Sequence, residues 1–555
     1  MVICGLKLTH DSSVTIIEDN KVVLCLEWEK LNNNNRFKLI DCLEDIDKEI
    51  IPYGYNLANV DRISIDGWVG EEHSTIKTRY LGIESEILAA PYHEPKGSSV
   101  LRKYGFDKLA HSDLALPYES FTHAAGHVLS SYCTSPFASR MESSYILVWD
   151  GGMYPRLYFF DSVRRSVVFI CDLFYMAVNV YSIFCQHYGP FKINENVIKD
   201  ELSVAGKVMA YVGYGRIDNE IIEDLKRCYS KTLSFATNPK LIPQYPYIFS
   251  KEFQICSRDK KYTDEDVICS LHYFLEGLII SSIKKAVAPR AGRMNLCLAG
   301  GAALNIKWNT ALRNSGIFDE VWVPPFPNDA GSSLGAALAS WAGNADCLAI
   351  AWNVYSGPTL TRDFVPDGWT TEECSPVELA RILYQTRLPV TVLNGRAEIG
   401  PRALGNRSIV AAPFDPKMKD QLNYLKIREY YRPIAPMCSE ERAVEFFNPG
   451  CPDPYMLFEH TIRDEWVDLL GAVSHIDNSA RLQTVNSLSH PFLHELLMEF
   501  EKLSGIPILC NTSANFKGRG FFPDIESAIR WGLTPMIYSD GRLYTKESVL
   551  SMASI

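Results

Sequence analysis

Short apolar runs broken by polar turns dominate the start of the chain. Val2–Leu6 is apolar and stops at Thr9-His10-Asp11-Ser12-Ser13; Val14–Ile17 follows, then Glu18-Asp19-Asn20, then Val22–Leu26. Aspartate and asparagine tolerate left-handed backbone angles, so this pattern predicts a β-meander. The plan returns at Tyr145–Trp149, which ends at Asp150-Gly151-Gly152 and is followed by Leu157–Phe160 and Val167–Ile170. Two such copies predict a duplicated fold, with an aspartate in the first turn of each.

Phe121–Cys133 and Asp264–Val287 predict helices. Asn295–Leu298 predicts a strand running into Ala299-Gly300-Gly301-Ala302, followed by a strand at Glu320–Val323 and a small-residue helix at Ala330–Ala342. Gly357, Pro358 and Pro366 then break the periodicity. They place a linker at 355–368, between a domain at 1–354 and another at 369–555. The second domain holds the dense segment Gly395–Arg407, a charged helix near Lys417–Glu429, and a late strand Pro507–Leu509 leading into Cys510-Asn511-Thr512-Ser513.

A length of 555 residues supports two α/β domains, since single cores stop growing at about 250–300 residues. The net charge of −11 argues against a stable nucleic-acid partner, which needs a basic surface. No apolar run approaches the ~20 residues of a membrane span, and no export signal is visible. The 15 cysteines contain no C-x-x-C pair, so reduced thiols in a cytoplasmic protein are expected.

Three groups carry candidate chemistry. His123 and His127 lie four apart on a predicted helix and share a face, while Asp150 and Asp329 sit at element ends. Asp329 alone reads as a helix N-cap, worth about 1 kcal/mol. Together the four suit Fe²⁺, Zn²⁺ or Mn²⁺ better than Mg²⁺ or Ca²⁺. Gly300 and Gly301, between a strand and a helix, allow close approach of a phosphate, and Gly206-Lys207 with Gly213-Tyr214-Gly215 suggest a second tight contact. With the duplicated meander, these glycines point to an actin-like ATPase fold. Finally, Arg396, Arg402 and Arg407 stand among glycines and a proline, and Lys426, Arg428 and Arg432 follow. Guanidinium groups held in fixed directions suit a small phosphorylated ligand.

Taken together, Gly395–Arg407, KIREYYRPIAP at Lys426–Pro436, CLAGGAALN at Cys297–Asn305, DAGSSLGAAL at Asp329–Leu338 and GKVMAYVGYG at Gly206–Gly215 resemble the O-carbamoyltransferases of the nodulation-factor and antibiotic-biosynthesis type. The resemblance covers nearly the whole chain. It implies an actin-like, threonylcarbamoyl-transferase-like first domain and a YrdC-like twisted-sheet second domain. It further implies that carbamoyl phosphate and ATP form carbamoyladenylate, whose carbamoyl group passes to a hydroxyl of a small acceptor. On the matching positions, His123, His127, Asp150 and Asp329 are the metal ligands, of iron in the first instance. His10, Arg402, Lys426 and Arg432 are catalytic. Gly300, Gly301, Asn305, Lys207, Arg396, Arg407, Arg428, Asn511 and Ser513 bind nucleotide or carbamoyl phosphate. A homodimer is compatible with this reading. The chain departs from the family pattern at Arg519, at Ala412 and in the Asn32–Asn35 run. Two rival readings are a tRNA threonylcarbamoyl-type modifying enzyme, disfavoured by the net acidity, and a non-catalytic nucleotide-binding regulator, disfavoured by intact candidate ligands in both domains.

Overall fold

The computed structural model describes the chain except residues 71, 81, 108, 110–115, 194–201, 237, 289–293, 344, 346, 362–366 and 548–555, so part of the expected linker lies outside the described residues. Val2–Lys7, Ser13–Glu18 and Lys21–Glu27 form the expected antiparallel meander. Its tight turns place Asp11 and Asp19 at φ 53° and 52°, the left-handed region that aspartate tolerates. Arg62–Asp66 joins Val2–Lys7 in parallel, Tyr118–Phe121 joins Arg62–Asp66 in parallel, and Tyr104–Phe106 closes the edge.

The second sheet repeats this plan. Ser166–Asp172, Arg156–Asp161 and Ser144–Val148 form an antiparallel meander, and Met294–Ala299 and Phe318–Trp322 extend it in parallel. Shared strand order and direction make the two halves a topological duplication.

Helices His123–Cys133 and Ser332–Ala342 cross between the sheets at very short range. A Cβ on Gly335 would stand 2.3 Å from the Gly126 carbonyl oxygen, and one on Gly5 would stand 2.1 Å from that of Ser333. Only glycine permits this approach, which sets the His123–Cys133 helix against the strand ends. Thr122 caps that helix by accepting the Ala125 N–H. The structure shifts the expected start from Phe121 because Tyr118–Phe121 is itself a strand. The Asp264–Val287 helix is long and apolar enough to span a membrane, but Val267, Leu271, Leu275 and Ile283 are buried in the core beneath the second sheet.

Among the described residues the second domain is built on an eight-stranded mixed sheet, running from the edge strand Trp369–Glu373 to Gln483–Val485. Helices Pro376–Thr386 and Pro491–Ser504 cover one face through Leu379, Leu383, Leu493 and Phe500. Pro416–Leu425 and Ile525–Trp531 cover the other through Met418, Leu422, Ile525 and Ala528.

The two domains are docked, not tethered. The described part of the linker pairs with both: Cys25 N–H donates to Ser356 O, and Leu360 N–H donates to Gly395 O. The Gly395–Arg407 segment inserts its tip into the first domain, where Ile399 is buried in that domain's core. Lys30 donates to Glu398 O and Gly400 O, and Gly400 N–H donates to Glu27. Two of the sequence departures, Arg519 and the Asn32–Asn35 run, meet at a second seam, where Gly520 N–H donates to Asn34 O and Arg519 donates to Asn33 O, while Ala412 is buried in the second domain's core.

Candidate active site

His123 and His127 project from one helix face toward Asp150, just past a strand end, and Asp329, in a short turn before a helix. Nε2 of His123 lies 3.0 Å from Nε2 of His127, 3.3 Å from Asp329 Oδ1 and 3.5 Å from Asp150 Oδ2. Nε2 of His127 lies 3.7 Å from Asp329 Oδ1 and 4.0 Å from Asp150 Oδ2. One donor atom from each of the four residues falls within 4.8 Å of every other, and all four residues are buried. Ligands about 2.1 Å from a tetrahedral ion stand about 3.4 Å apart, so these spacings suit one ion.

The charges agree with the spacing. Two buried carboxylates need a cation. Burial opposes protonation of His123, yet Asp66 and Asp329 outweigh it and hold the imidazole well above its ordinary range. Burial and the charge of Asp329 both push Asp150 up, and His123 and His127 outweigh them, bringing it to about 2. The positive charge favoured on His123 thus stands where a divalent cation would serve both carboxylates. His127 Nδ1 is buried without a hydrogen-bond partner.

A second layer orients the donors. His123 Nδ1 faces Asp66 Oδ2 at 2.8 Å, and Lys7 Nζ bridges Asp66 at 2.9 Å and Asp329 at 3.0 Å. A carboxylate behind a metal-facing imidazole fixes its tautomer and ring orientation. Tyr92 donates to Asp150 Oδ2 at 2.7 Å and stacks on His123. His10 reaches Asp329 Oδ2 at 3.6 Å and keeps its ring 38% exposed. The structure gives Asp329 no capping role: it lies in a short turn, and the following helix starts at Ser332 with Gly331 before it.

The glycine pair behaves differently from expectation. Gly300, at φ 87°, passes so close to the opposing strand end that a Cβ would meet Trp149 O at 2.4 Å. Gly301 N–H donates to Asp150 Oδ1 at 2.6 Å, so its amide serves the metal-facing aspartate. Asn305 caps the Ile306–Asn314 helix through the Lys307 and Trp308 amides. Lys207 lies on the Ala205–Tyr211 helix and pairs with Glu429 of the second domain at 3.0 Å. Both residues line a cavity of about 190 Å³ at the domain boundary, together with Gln186, Phe191 and Tyr431.

The arginines divide into two groups. Arg407 spends all five guanidinium N–H bonds on the carbonyls of Phe522, Asn394, Asn406, Pro358 and Gly395. No donor remains for a ligand, so its assignment to cofactor binding is corrected: it ties the sheet to the linker. Arg396 donates to Gly357 O, Ser356 O and Val23 O across the domain seam, through three of its five guanidinium N–H groups. The other group gathers at one place. Burial and the charges of Arg481, Arg432 and Arg36 hold Arg402 well below its ordinary range. Burial, then Arg432 and Arg481, bring Arg428 down to about 9, and burial with Arg432 brings Arg481 to about 10. Lys426 falls well below its ordinary range through burial, Arg428 and Arg36. Among the described residues Arg402, Arg428, Arg481 and Lys426 have no carboxylate within ion-pair distance; Glu429 stands 3.7 Å from Arg432.

Among the described residues the Nε atoms of Arg402 and Arg481 are buried and unpaired, and crowded guanidinium groups of this kind have the chemistry to hold a small anion. Lys426 donates to the carbonyls of Ser513 and Asn515, so it holds the loop after the Ile508–Ser513 strand. Asn511 donates to Ala403 O and Gln483, leaving Oδ1 buried and unpaired. Ser513 donates to Asn515. Sequence reasoning missed Arg481, which stands alone in Ala480-Arg481-Leu482, and Arg36, which comes from the first domain. Arg402 donates to Leu304 O, so the cation cluster abuts the end of the glycine turn.

The chain thus joins a duplicated α/β domain holding a buried two-histidine, two-carboxylate centre to a domain that concentrates buried cations. Residues 2–338 match the family description "Carbamoyltransferase N-terminus" and residues 380–537 match "Carbamoyltransferase C-terminus". Nodulation protein U of Rhizobium tropici is 44% identical over 570 residues, covering 100% of this chain and 98% of its own. The 3'-hydroxymethylcephem-O-carbamoyltransferase of Streptomyces clavuligerus is 29% identical over 534 residues, covering 96% of each chain. Among solved structures, the activator of the 2-hydroxyisocaproyl-CoA dehydratase from Clostridium difficile with bound ADPNP matches with a TM-score of 0.35 and 13% identity, over 62% of this chain and 96% of that one. The chain belongs to the carbamoyltransferase family, and within it to the O-carbamoyltransferases; it is an enzyme that transfers a carbamoyl group.

Proposed function

We propose that this enzyme uses ATP and carbamoyl phosphate to carbamoylate a hydroxyl of a small acceptor, with synthesis and transfer divided between its two domains. The cation cluster of Arg402, Arg428, Arg432 and Arg481 carries the reading, because it demands a small polyanion. Water cleaves carbamoyl phosphate bound there into carbamate and inorganic phosphate. The carbamate oxygen attacks the α-phosphorus of ATP, pyrophosphate leaves, and carbamoyladenylate results. In the first domain the acceptor oxygen attacks the carbamoyl carbon, AMP leaves, and the hydroxyl proton passes to a base. His10, half-exposed beside the buried centre, is suited to take it.

A divalent cation held by His123, His127, Asp150 and Asp329 would polarise the reacting groups as a Lewis acid. Lys7 and Asp66 keep those donors in place. The Nε atoms of Arg402 and Arg481, unpaired among the described residues, orient the anion, and Asn511 Oδ1 is placed to accept from the carbamoyl NH2. The actin-like character of the first domain, supported by its duplicated topology, and the YrdC-like character of the second belong to the same proposal, as does a cytoplasmic setting rich in ATP. Carbamoyladenylate is a mixed anhydride that water destroys, so passing it between docked domains protects it. Supporting that route, Arg402 touches the Leu304 carbonyl directly.

The test mixes the enzyme with ATP, carbamoyl phosphate and a panel of hydroxylated acceptors, following pyrophosphate release and product mass. Pyrophosphate release that needs carbamoyl phosphate, with one carbamoyl group gained by an acceptor, is expected. Carbamoylation that proceeds equally well without ATP would overturn the proposal.

A further inference from the structure

A short arm of the first domain reaches between two loops that serve the cation cluster of the second. After the strand Lys21–Glu27 the chain makes one tight turn, Trp28–Lys30, in which Lys30 is only 1% exposed. On one side lies the Gly395–Arg407 segment, which carries Arg402. On the other lies the loop after the Ile508–Ser513 strand, which Lys426 grips through the carbonyls of Ser513 and Asn515. That loop returns through Gly520, where a Cβ would collide with the Glu29 carbonyl oxygen. Phe521 follows, with Lys30 Nζ over its ring at 4.7 Å. The turn is therefore wedged against both loops.

Lys30 spends its three ammonium protons at fixed points: Glu27 Oε1 at 2.7 Å, Glu398 O at 2.6 Å and Gly400 O at 2.6 Å. Glu27 Oε1 in turn accepts the Gly400 N–H at 2.7 Å. The backbone just before Arg402 is thus held at two carbonyls and one amide. Just after Arg402, the buried Glu398 carboxylate accepts the N–H groups of Leu404, Asn406 and Arg407 through Oε1. Arg402 therefore springs from a loop pinned on both flanks, and one of the two pins belongs to the other domain. Adhesion alone does not call for this pair, since apolar side chains of the same volume would hold two surfaces together as well as a buried lysine and glutamate. What the pair adds is direction, because each of its bonds fixes one backbone atom of the loop.

We infer that Lys30, seated by Glu27, is a positioning residue of the anion site in the second domain, supplied by the first. With all three donors spent, Lys30 does not touch the anion; it fixes the loop from which Arg402 reaches it. Guanidinium recognition is directional, so a small rotation of that loop is felt as lost affinity. The second domain's site is then complete only when the first domain is docked on it. The inference rests on the reading of the cation cluster as the place where carbamoyl phosphate binds.

Isothermal titration of the full-length chain with phosphonoacetamide, a non-hydrolysable analogue of carbamoyl phosphate, provides the test. Lys30→Met should weaken binding about tenfold, the scale on which a displaced supporting group is felt. Fe²⁺ affinity at the first domain's centre should stay within about twofold, because none of the partners of Lys30 is a metal-facing residue. Glu27→Gln combined with Lys30→Met leaves no unpaired buried carboxylate, so it keeps the test informative should Lys30→Met alone unfold, and it should show the same weakening. A purely adhesive role would lower the urea midpoint and leave phosphonoacetamide affinity unchanged in the folded variant, and that result would overturn the inference. Equal losses of Fe²⁺ and phosphonoacetamide affinity would also overturn it, since they mark general loosening. Failure of the anion-site reading shows separately, as absence of phosphonoacetamide binding to the unmodified chain, and the inference would fall with it.

Discussion

Asp66→Asn tests whether the layer behind the histidines makes the metal centre. The carboxylate faces His123 Nδ1 at 2.8 Å and Lys7 Nζ at 2.9 Å, and the Asp66 and Lys7 side chains are each only 1% exposed. Asparagine keeps the volume but removes the charge, and it must turn an N–H toward one of the two groups. The His123 ring then loses the acceptor that holds Nε2 toward the other donors. Lys7 loses one of two counter-charges and draws harder on Asp329 Oδ2, already 3.0 Å away. Partners behind metal ligands usually shift affinity by about 10–100-fold. Because Lys7 then competes for a ligand as well, the upper end is expected, about 100-fold or about 2.8 kcal/mol. The assay is competition with a chromogenic chelator for Fe²⁺ under anaerobic conditions, repeated with Zn²⁺ and Mn²⁺, after the folded state of the metal-free variant has been checked by its melt. An Asp66→Asn chain that folds normally and binds each metal within about twofold of the unmodified chain would refute the reasoning.

Arg481→Ala should raise the KM for carbamoyl phosphate by about 100-fold, as expected for a lost charge-assisted contact of about 1.5–3 kcal/mol, with Arg481→Lys recovering part of it in pyrophosphate-release assays. Arg407→Met removes a buried guanidinium and its five hydrogen bonds to carbonyls and should cost about 4 kcal/mol or more, read as a fall in the urea midpoint. Gly300→Ala should weaken metal binding along with stability, because its Cβ would displace Trp149 and with it Asp150; metal affinity unchanged in a folded variant would contradict this. Glu276 is pushed up to about 7 by burial and by Glu459, against the pull of Lys307. The folded state therefore holds a proton that the unfolded chain releases near pH 4.5. Stability from this group is full below that value and declines as pH rises toward about 7. Glu276→Gln should remove this decline and raise the urea midpoint at pH 8 relative to pH 5.

Local chemistry made part of this protein legible before any folding was known. The period-two apolar runs and their Asp/Asn turns located both meanders, because strand alternation and left-handed turn angles are properties of a few neighbouring residues. The i, i+4 spacing of His123 and His127 fixed a shared helix face for the same reason. The convergence of Asp150 and Asp329 on that face depends on two helices crossing at the Gly126–Gly335 contact, which no local pattern contains. Nor could the sequence tell one arginine from another. Arg402 and Arg407 lie five residues apart in the same glycine-rich segment, and a guanidinium in sequence is only a charge. The fold surrounds Arg407 with carbonyls and leaves Arg402 beside other cations, so one is a clasp and the other stays a candidate for binding an anion. Asp66 gave no signal at all. It reaches its place behind His123 because Gly67 lets the chain slide against Pro91 and His123, a contact between segments far apart in sequence that only the packed structure decides.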